Sequence, residues 1–379
     1  MEPPDGPRGR ALLVSGALGL GHVATAQACA DSLAARGWSA RTVDAMRLLG
    51  PRAGGAGERA FRSMIAVPGL YDAFHFAALR PGTRLALLAD AGARRQLVPR
   101  LTEHLDRHPA DLAISVFATG ASAISTIAER YPAMVHVVFC RDATPHRLWV
   151  HPNVDMYLVT SRVAERAVRR FQPHARIRIV PHPVQADFCT PPTRAGARDT
   201  LRIPGRARCV LLMSGGWGLG PVAEAAAALG DAGVQVLAVA GHNARLEAAL
   251  HAVAERQPRV RAFGFTDRVP EMMAAADLVI TTSGGCTCAE ARTVGRPLLV
   301  LDVLPGHGRD NLQHELELGN AYVTSANHDD VVANALAALA AGSEPAPAHP
   351  ARDWEAAFSS VLADLGLAAP VPGRPGKTG

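Results

Sequence analysis

The sequence contains almost no lysine: Lys377 is its single lysine, against 38 arginines in 379 residues. A Walker A loop needs a lysine on the nucleotide phosphates, and a Schiff-base enzyme needs one in its active site. Both classes are therefore excluded for the body of the chain. The excess of alanine, arginine, glycine and proline is typical of biased base composition, so the net charge of +5 does not indicate a nucleic-acid partner.

Other common signals are also missing. The six cysteines are scattered, without the CxxC spacing of zinc or redox sites, and no apolar run approaches the roughly 20 residues of a membrane-spanning helix. The first ten residues contain no apolar signal segment, which predicts a cytoplasmic protein. There is no GxSxG elbow and no Asp-x-Asp pair, so we predict a site without metal or cofactor, in which backbone amides and a helix end hold negative charge.

The sequence does show a regular alternation of short apolar runs with helix-length amphipathic stretches. This alternation is typical of βα units around a parallel sheet that is buried on both faces. The clearest predicted strands are residues 11–15, 112–116, 135–139, 209–213, 234–240, 278–282 and 298–302. We therefore expect an α/β fold.

Two glycine-rich strand-to-helix turns lie about 200 residues apart, SGALGLGH at 15–22 and SGGWGLG at 214–220. Each is expected after the first strand of its own open sheet, which predicts two Rossmann-like domains in tandem. The predicted boundaries are 1–183 for the first domain and 184–345 for the second. Residues 346–379 would form a last helix, free to cross back to the first domain, and a disordered tail.

A glycine turn that leads into a helix offers free N–H groups and a positive dipole end to an anion. A third such turn, TTSGGCTCAEA at 281–291, has Ser283 as its predicted N-cap and Glu290 about two turns into the helix. Two turns in the second domain predict a nucleotide in its crevice, with Glu290 facing the ribose. An ordinary surface carboxylate is the alternative for Glu290.

His22 directly follows the first glycine turn. At the start of a helix the dipole favours the neutral imidazole that a general base needs, although a capping or packing role is the alternative. Asp142 and His146 lie just after a predicted strand in RDATPHRLW, and loops at strand ends concentrate functional residues. We take all three as candidates for one site.

Residues 59–100 combine seven arginines and two aspartates with aromatic and aliphatic side chains. Basic and apolar helical segments bind anionic membrane interfaces, whereas helices packed on a sheet with a solvated arginine face are the alternative. Peripheral binding to the inner face of the cell membrane is therefore a second hypothesis for the location.

A series of motifs resembles the monogalactosyldiacylglycerol synthase and processive diacylglycerol glycosyltransferase family, in glycosyltransferase family 28. The motifs are GLGH (19–22), RDATPHRLW (141–149), VDMYLVTS (154–161), SGGWGLG (214–220), FGFTDRVPEMMAAADLVIT (263–281), SGGCTCAEA (283–291) and LPGHGRDN (304–311). The similarity covers about residues 11–340. It implies the GT-B fold, in which two Rossmann-like domains face each other across a cleft.

The resemblance implies an inverting transfer of a sugar to an acceptor hydroxyl, with a UDP-sugar as co-substrate. On the acceptor side it places His22 as the catalytic base or acceptor-orienting residue, together with Gly19, Gly21, Asp142 and His146. On the donor side it assigns contacts with the diphosphate, uracil, ribose and sugar to Ser214, Gly215, Gly216, Phe265, Ser283, Gly284, Gly285, Glu290, His307 and Asn311.

The chain also departs from the family pattern. Leu20 replaces a glycine, Trp217 replaces an acidic residue, and residues 307–310 differ at the positions that contact the sugar, so the donor sugar stays open. We predict a diacylglycerol-type lipid or another hydrophobic acceptor. The alternatives are a secondary-metabolite glycosyltransferase, a UDP-sugar epimerase or hydrolase, a nicotinamide oxidoreductase suggested by Asp44, and a non-catalytic binding protein.

Overall fold

Two parallel six-stranded sheets, each covered by helices on both faces, form the protein in a computed structural model. The structure describes residues 7–16, 20–50, 75–79, 81–215, 220–304, 306–319, 321–325, 327–341 and 354–368. The predicted α/β class is confirmed.

The first sheet has the strand order β2-β1-β3-β4-β5-β6. Its strands are β1 (Arg10–Ser15), β2 (Ser39–Asp44), β3 (Leu112–Ser115), β4 (Val135–Cys140), β5 (Met156–Val159) and β6 (Ile177–Ile179). The described helices of this half are α1 (Leu20–Ala34), α2 (Ala45–Leu48), α3 (Arg84–Arg107), α4 (Ala118–Ile127) and α5 (Arg162–Phe171).

The second sheet has the order β12-β11-β10-β7-β8-β9. Its strands are β7 (Cys209–Met213), β8 (Gln235–Val239), β9 (Val260–Phe263), β10 (Leu278–Thr282), β11 (Leu298–Leu301) and β12 (Ala321–Thr324). The described helices that follow β6 are α6 (Ala186–Cys189), α7 (Arg194–Thr200), α8 (Val222–Asp231), α9 (Ala244–Arg256), α10 (Val269–Ala275), α11 (Gly285–Thr293), α12 (His307–Glu317), α13 (His328–Ala341) and α14 (Trp354–Asp364).

Short polar side chains begin several of these helices. Ser161, Thr193 and Asn243 each accept a hydrogen bond from a backbone N–H in the first turn of the helix that follows. Asp44 does the same for α2, with its carboxylate 2.8 Å from the N of Met46. The carboxylate that suggested a nicotinamide site is therefore a helix cap in this structure.

The last helix, α14, packs on the first sheet although it follows the second sheet in the chain. Trp354 and Phe358 are buried in a cluster that includes Leu13 and Phe139 of the central strands. The Trp354 indole N–H also donates to the Ser32 hydroxyl of α1 at 2.8 Å. The first domain's core thus contains residues from both ends of the sequence.

Each sheet has one point where the strand order reverses, beside β1 in the first sheet and beside β7 in the second. In open parallel sheets, ligands bind at the carboxyl ends of the strands at this point. The two predicted glycine turns directly follow β1 and β7. The topology therefore brings both turns to the positions where a ligand is expected.

Candidate active site

The two halves meet through the first turns of α1 and α11. The Cys286 thiol of α11 lies 3.3 Å from the carbonyl oxygen of Gly21 and 3.6 Å from the Thr25 hydroxyl, both in α1. Nearby, the backbone N–H of Ala143 donates to the side-chain oxygen of Asn311 at 2.9 Å. Residues predicted for the acceptor side and the donor side are thus neighbours across one cleft.

His22 is packed between two aromatic side chains. Its imidazole meets the Phe117 ring edge to face at 5.3 Å and lies nearly parallel to the Trp149 indole at 6.4 Å. These contacts hold the ring at the amino end of α1. Sequence reasoning predicted His22 but neither of the two rings that position it.

Asp142 and His146 lie beside His22, in the loop after β4. The Trp149 indole N–H donates to the Asp142 carboxylate at 3.0 Å, so one residue contacts both His22 and Asp142. Burial alone would raise the pKa of Asp142, but three nearby histidines and Arg141 lower it to about 2. Burial lowers the pKa of His146 to about 4, so near neutral pH Asp142 is ionised and His146 is neutral.

His307 reaches the same place from the second half, at the first turn of α12. It is one of the groups that lower the pKa of Asp142, and its ring lies 6.1 Å from that of His75. Burial lowers the pKa of His307 itself. His75 was not predicted, because it stands in an aromatic and basic stretch with nothing to set it apart.

The donor-side glycine turns occupy the carboxyl ends of β7 and β10. Ser214 is buried, and Gly215 has a φ of +66°, a conformation that favours glycine. The prediction of Ser283 as an N-cap is wrong: Gly284 is the N-cap of α11, and the Ser283 hydroxyl donates to the carbonyl oxygen of Gly308 at 2.7 Å instead. This bond links the turn predicted to face the phosphates to the segment predicted to contact the sugar.

Glu290 lies within α11 near two unpredicted groups, Cys286 and His182. Burial, and then the Cys286 thiol, raise the pKa of Glu290 to about 8, although His182 opposes the shift. His182 belongs to the proline-marked junction, and burial lowers its pKa to about 4. The sequence suggested only a linker there, because prolines dominate the segment.

Phe265 projects from the loop after β9 and is 64% exposed. The His242 ring, from the loop after β8, stacks on it at 4.2 Å with an angle of 10° between the planes. The pair forms a flat aromatic surface at the carboxyl end of the second sheet. His242 was not predicted, since its place opposite Phe265 depends on the pairing of β8 with β9.

Some of the predicted residues lie outside the described residues. These are Gly19, Gly216, Trp217, and residues 59–74 of the basic segment. Among the residues that are described, no group of three or more His, Cys, Asp or Glu side chains is arranged to hold a metal ion. None of the described helices combines the length and apolar character needed to cross a membrane.

Two family models match the chain. The model for the monogalactosyldiacylglycerol (MGDG) synthase family covers residues 73–184, and the glycosyltransferase family 28 C-terminal domain covers residues 221–343. The first match includes Asp142 and His146, and the second includes Phe265, Glu290, His307 and Asn311.

Individual relatives agree with these models. A probable monogalactosyldiacylglycerol synthase of Nicotiana tabacum is 34% identical over 188 residues, 47% of this chain and 35% of its own length. A processive diacylglycerol beta-glucosyltransferase of Bacillus subtilis is 27% identical over 247 residues, 64% of each protein. The matched region thus spans less than two thirds of the length of these curated relatives.

Solved structures show the same architecture. The glycotransferase of kitacinnamycin superposes with a TM-score of 0.61 at 14% identity, covering 96% of this chain and 98% of its own. The Acinetobacter baumannii protein MurG superposes with a TM-score of 0.57 at 15% identity, covering 94% and 99%. The predicted GT-B fold is confirmed, and so is the predicted resemblance to glycosyltransferase family 28: a monogalactosyldiacylglycerol synthase model matches the first half, and the family's C-terminal domain model matches the second.

Proposed function

We propose that the protein transfers a sugar from a UDP-sugar to a hydroxyl group of a diacylglycerol-type lipid or another hydrophobic acceptor. The observation that carries this proposal is the contact, across one cleft, between Cys286 at the amino end of α11 and Gly21, the neighbour of His22 on α1, in a chain that matches these family models. The named activities of the tobacco and Bacillus relatives support the lipid acceptor.

The donor would lie along the carboxyl ends of β7 to β10. The backbone around Gly215 and the amino end of α11 would hold the diphosphate, because free N–H groups and the helix dipole attract anions. The stacked pair of Phe265 and His242 offers the uracil a flat aromatic surface. Glu290 would bind the ribose hydroxyls, and His307 and Asn311 would face the sugar.

The acceptor would enter from the side of the first domain. His22 would take the proton of the acceptor hydroxyl as that oxygen attacks the anomeric carbon opposite the leaving UDP, which inverts the configuration. Asp142 would hold Trp149 against His22 and so orient the imidazole. In this mechanism, backbone amides and side chains of the cleft neutralise the leaving diphosphate without a metal ion.

A peripheral membrane contact fits a lipid acceptor. Helix α3 exposes Leu87 and Leu88, at 41% and 70%, and also carries the exposed Arg84 and Arg95. Exposed leucines beside arginines suit the interface of an anionic membrane. The leucine side chains insert among the lipids, and the guanidinium groups contact the negatively charged headgroups. We place this contact on the cytoplasmic face of the cell membrane.

A donor screen tests the function. Purified protein is mixed with UDP-glucose, UDP-galactose or UDP-N-acetylglucosamine and vesicles containing diacylglycerol, and released UDP and glycolipid are both measured. We expect one donor to give equal amounts of the two products. UDP release without glycolipid would instead indicate a hydrolase, and failure both to bind UDP by calorimetry and to release it would refute the proposal.

A further inference from the structure

Arg141 is a basic residue of the cleft, and its charge helps to lower the pKa of the neighbouring Asp142. It follows β4, and its guanidinium lies against the first turn of α1. A β-carbon added at Gly21 would come within 2.7 Å of its Nη2 atom. Its carbonyl oxygen would be 4.0 Å from a β-carbon at Gly285, the first residue of α11. Arg141 therefore sits where the two helix amino ends meet.

Arg141 is half-buried, and among the described residues it lacks the paired carboxylate that the buried Arg198 and Arg292 have. Arg198 and Arg292 are each paired with a carboxylate, Asp277 and Glu315, at 2.9 Å. The Nε of Arg141 is buried and has no hydrogen-bond partner within the described residues. A buried N–H donor without a hydrogen bond is costly, and a bound anion would satisfy it.

The charge of Arg141 acts on groups from every part of the cleft. It lowers the pKa of His307 in the second half and of His182 at the junction, where burial is the larger cause of the lowering, and it opposes the rise that burial alone would give the pKa of Asp142 in the first half. A cavity of about 220 Å³ beside it, bordered also by His182, Gly285 and Asn311, leaves room for a ligand. Arg141 is therefore central to the cleft rather than part of one wall.

We propose that Arg141 contacts the diphosphate of the donor and balances the charge of the leaving UDP. This inference rests on the proposed function and adds a catalytic residue to it. In the transfer, the bond between the anomeric carbon and the β-phosphate oxygen breaks, and its electron pair stays on that oxygen. The acceptor oxygen bonds to the anomeric carbon and its proton passes to His22. The negative charge on the β-phosphate, next to Arg141, therefore grows as the bond breaks.

Glutamine at position 141 tests the role, because it keeps much of the side chain's length without its charge. We expect Arg141→Gln to bind UDP about tenfold more weakly, since a charge-assisted bond is lost, and to bind uridine as the parent does. We expect kcat to fall about 100-fold, as when a preorganised donor to a developing charge is removed. Arg166→Gln, at an exposed position on α5, is the control for net charge.

Two further variants distinguish a charge effect from structural damage. Added guanidinium ion is expected to restore part of the turnover of Arg141→Ala. Gly21→Ala should displace the guanidinium and slow the parent enzyme, yet add little to the loss in Arg141→Gln, because both changes act on one contact. If glutamine prevents folding, Arg141→Lys is used, and it should weaken UDP binding less than it lowers kcat.

The outcomes separate the two proposals. A parent protein that neither binds UDP nor releases it overturns the glycosyltransferase function and the role of Arg141 with it. An active parent whose Arg141→Gln variant binds UDP and turns over within twofold of normal overturns the role of Arg141 alone. A loss of uridine affinity equal to the loss of UDP affinity would also reject a contact with the diphosphate.

Discussion

His22 is fixed at the amino end of α1 by the rings of Phe117 and Trp149. We expect His22→Ala to lower kcat at least 100-fold, because general bases contribute about 10²–10⁴-fold to turnover. UDP affinity should stay nearly normal, since the donor is proposed to bind the other half. Turnover by UDP release and affinity by calorimetry measure the two effects.

The exposed His174, in the same half, provides the matched control as His174→Ala. A His22→Ala enzyme with the parent's kcat would remove the assignment of the base. A parallel loss of UDP affinity would indicate instead that His22 contributes to binding of the donor.

Glu290 makes stability depend on pH. Its pKa is about 8 in the folded chain and near 4.5 when unfolded, so the folded protein holds the extra proton between these values. The unfolded chain binds fewer protons in this window, and the free energy of unfolding therefore falls as pH rises from about 5 to 8. We expect Glu290→Gln to reduce this fall and to be more stable than the parent at pH 9.

Urea unfolding at pH 5, 7 and 9 checks the Glu290 effect. Glu255→Gln, at an exposed position on α9, shows how much of any change comes from charge alone. Parallel stability curves for Glu290→Gln and the parent would mean that this carboxyl group is ionised at neutral pH.

At the scale of elements, α14 joins the end of the described chain to its first sheet. Trp354 stacks on Phe358 at 4.8 Å, and the Glu355 carboxylate pairs with Arg36 in the turn after α1. We expect Trp354→Ala to lower the free energy of unfolding by about 3–5 kcal/mol, because a large buried ring is lost and its cavity remains. Urea unfolding measures this loss of stability. Ser360→Ala, at an exposed position of the same helix, is the control. A change below 1 kcal/mol would show that α14 contributes little to the core.

Elements with continuous apolar runs could be predicted from the sequence. Strands such as β3 and β10 are buried along their whole length, and their predicted bounds differ from the structure by at most one residue. The edge strands β6, β9 and β12 were not singled out, and neither was the buried strand β5. An edge strand has one neighbour and partial exposure, so its apolar run is short and resembles a loop.

In the molecule as a whole, the sequence points to single candidate residues more readily than to the residues that surround them. His22 and Asp142 follow strands and stand next to recognisable turns. The contacts of Trp149 and Arg141 with them depend on packing within the first half, whereas the approach of His307 depends on the packing of two halves whose contacting residues are up to 265 positions apart. Periodicity carries information about local structure only, so contacts such as the one between Cys286 and Gly21 could not be predicted.

The proposed membrane contact is also a property of the whole molecule, because it decides which face of the cleft meets the acceptor. Each leucine side chain that leaves water for lipid gains roughly 1.5–3 kcal/mol, and 1.4 kcal/mol corresponds to a factor of about ten in binding. Leu87→Glu with Leu88→Glu is therefore expected to weaken binding to vesicles with anionic lipid at least tenfold. Flotation measures the bound fraction.

Val323→Glu, on the exposed part of β12, should bind as the parent does. If the double variant floats with the vesicles as the parent does, α3 is not the membrane contact, and a parent that binds no vesicles would favour a soluble acceptor.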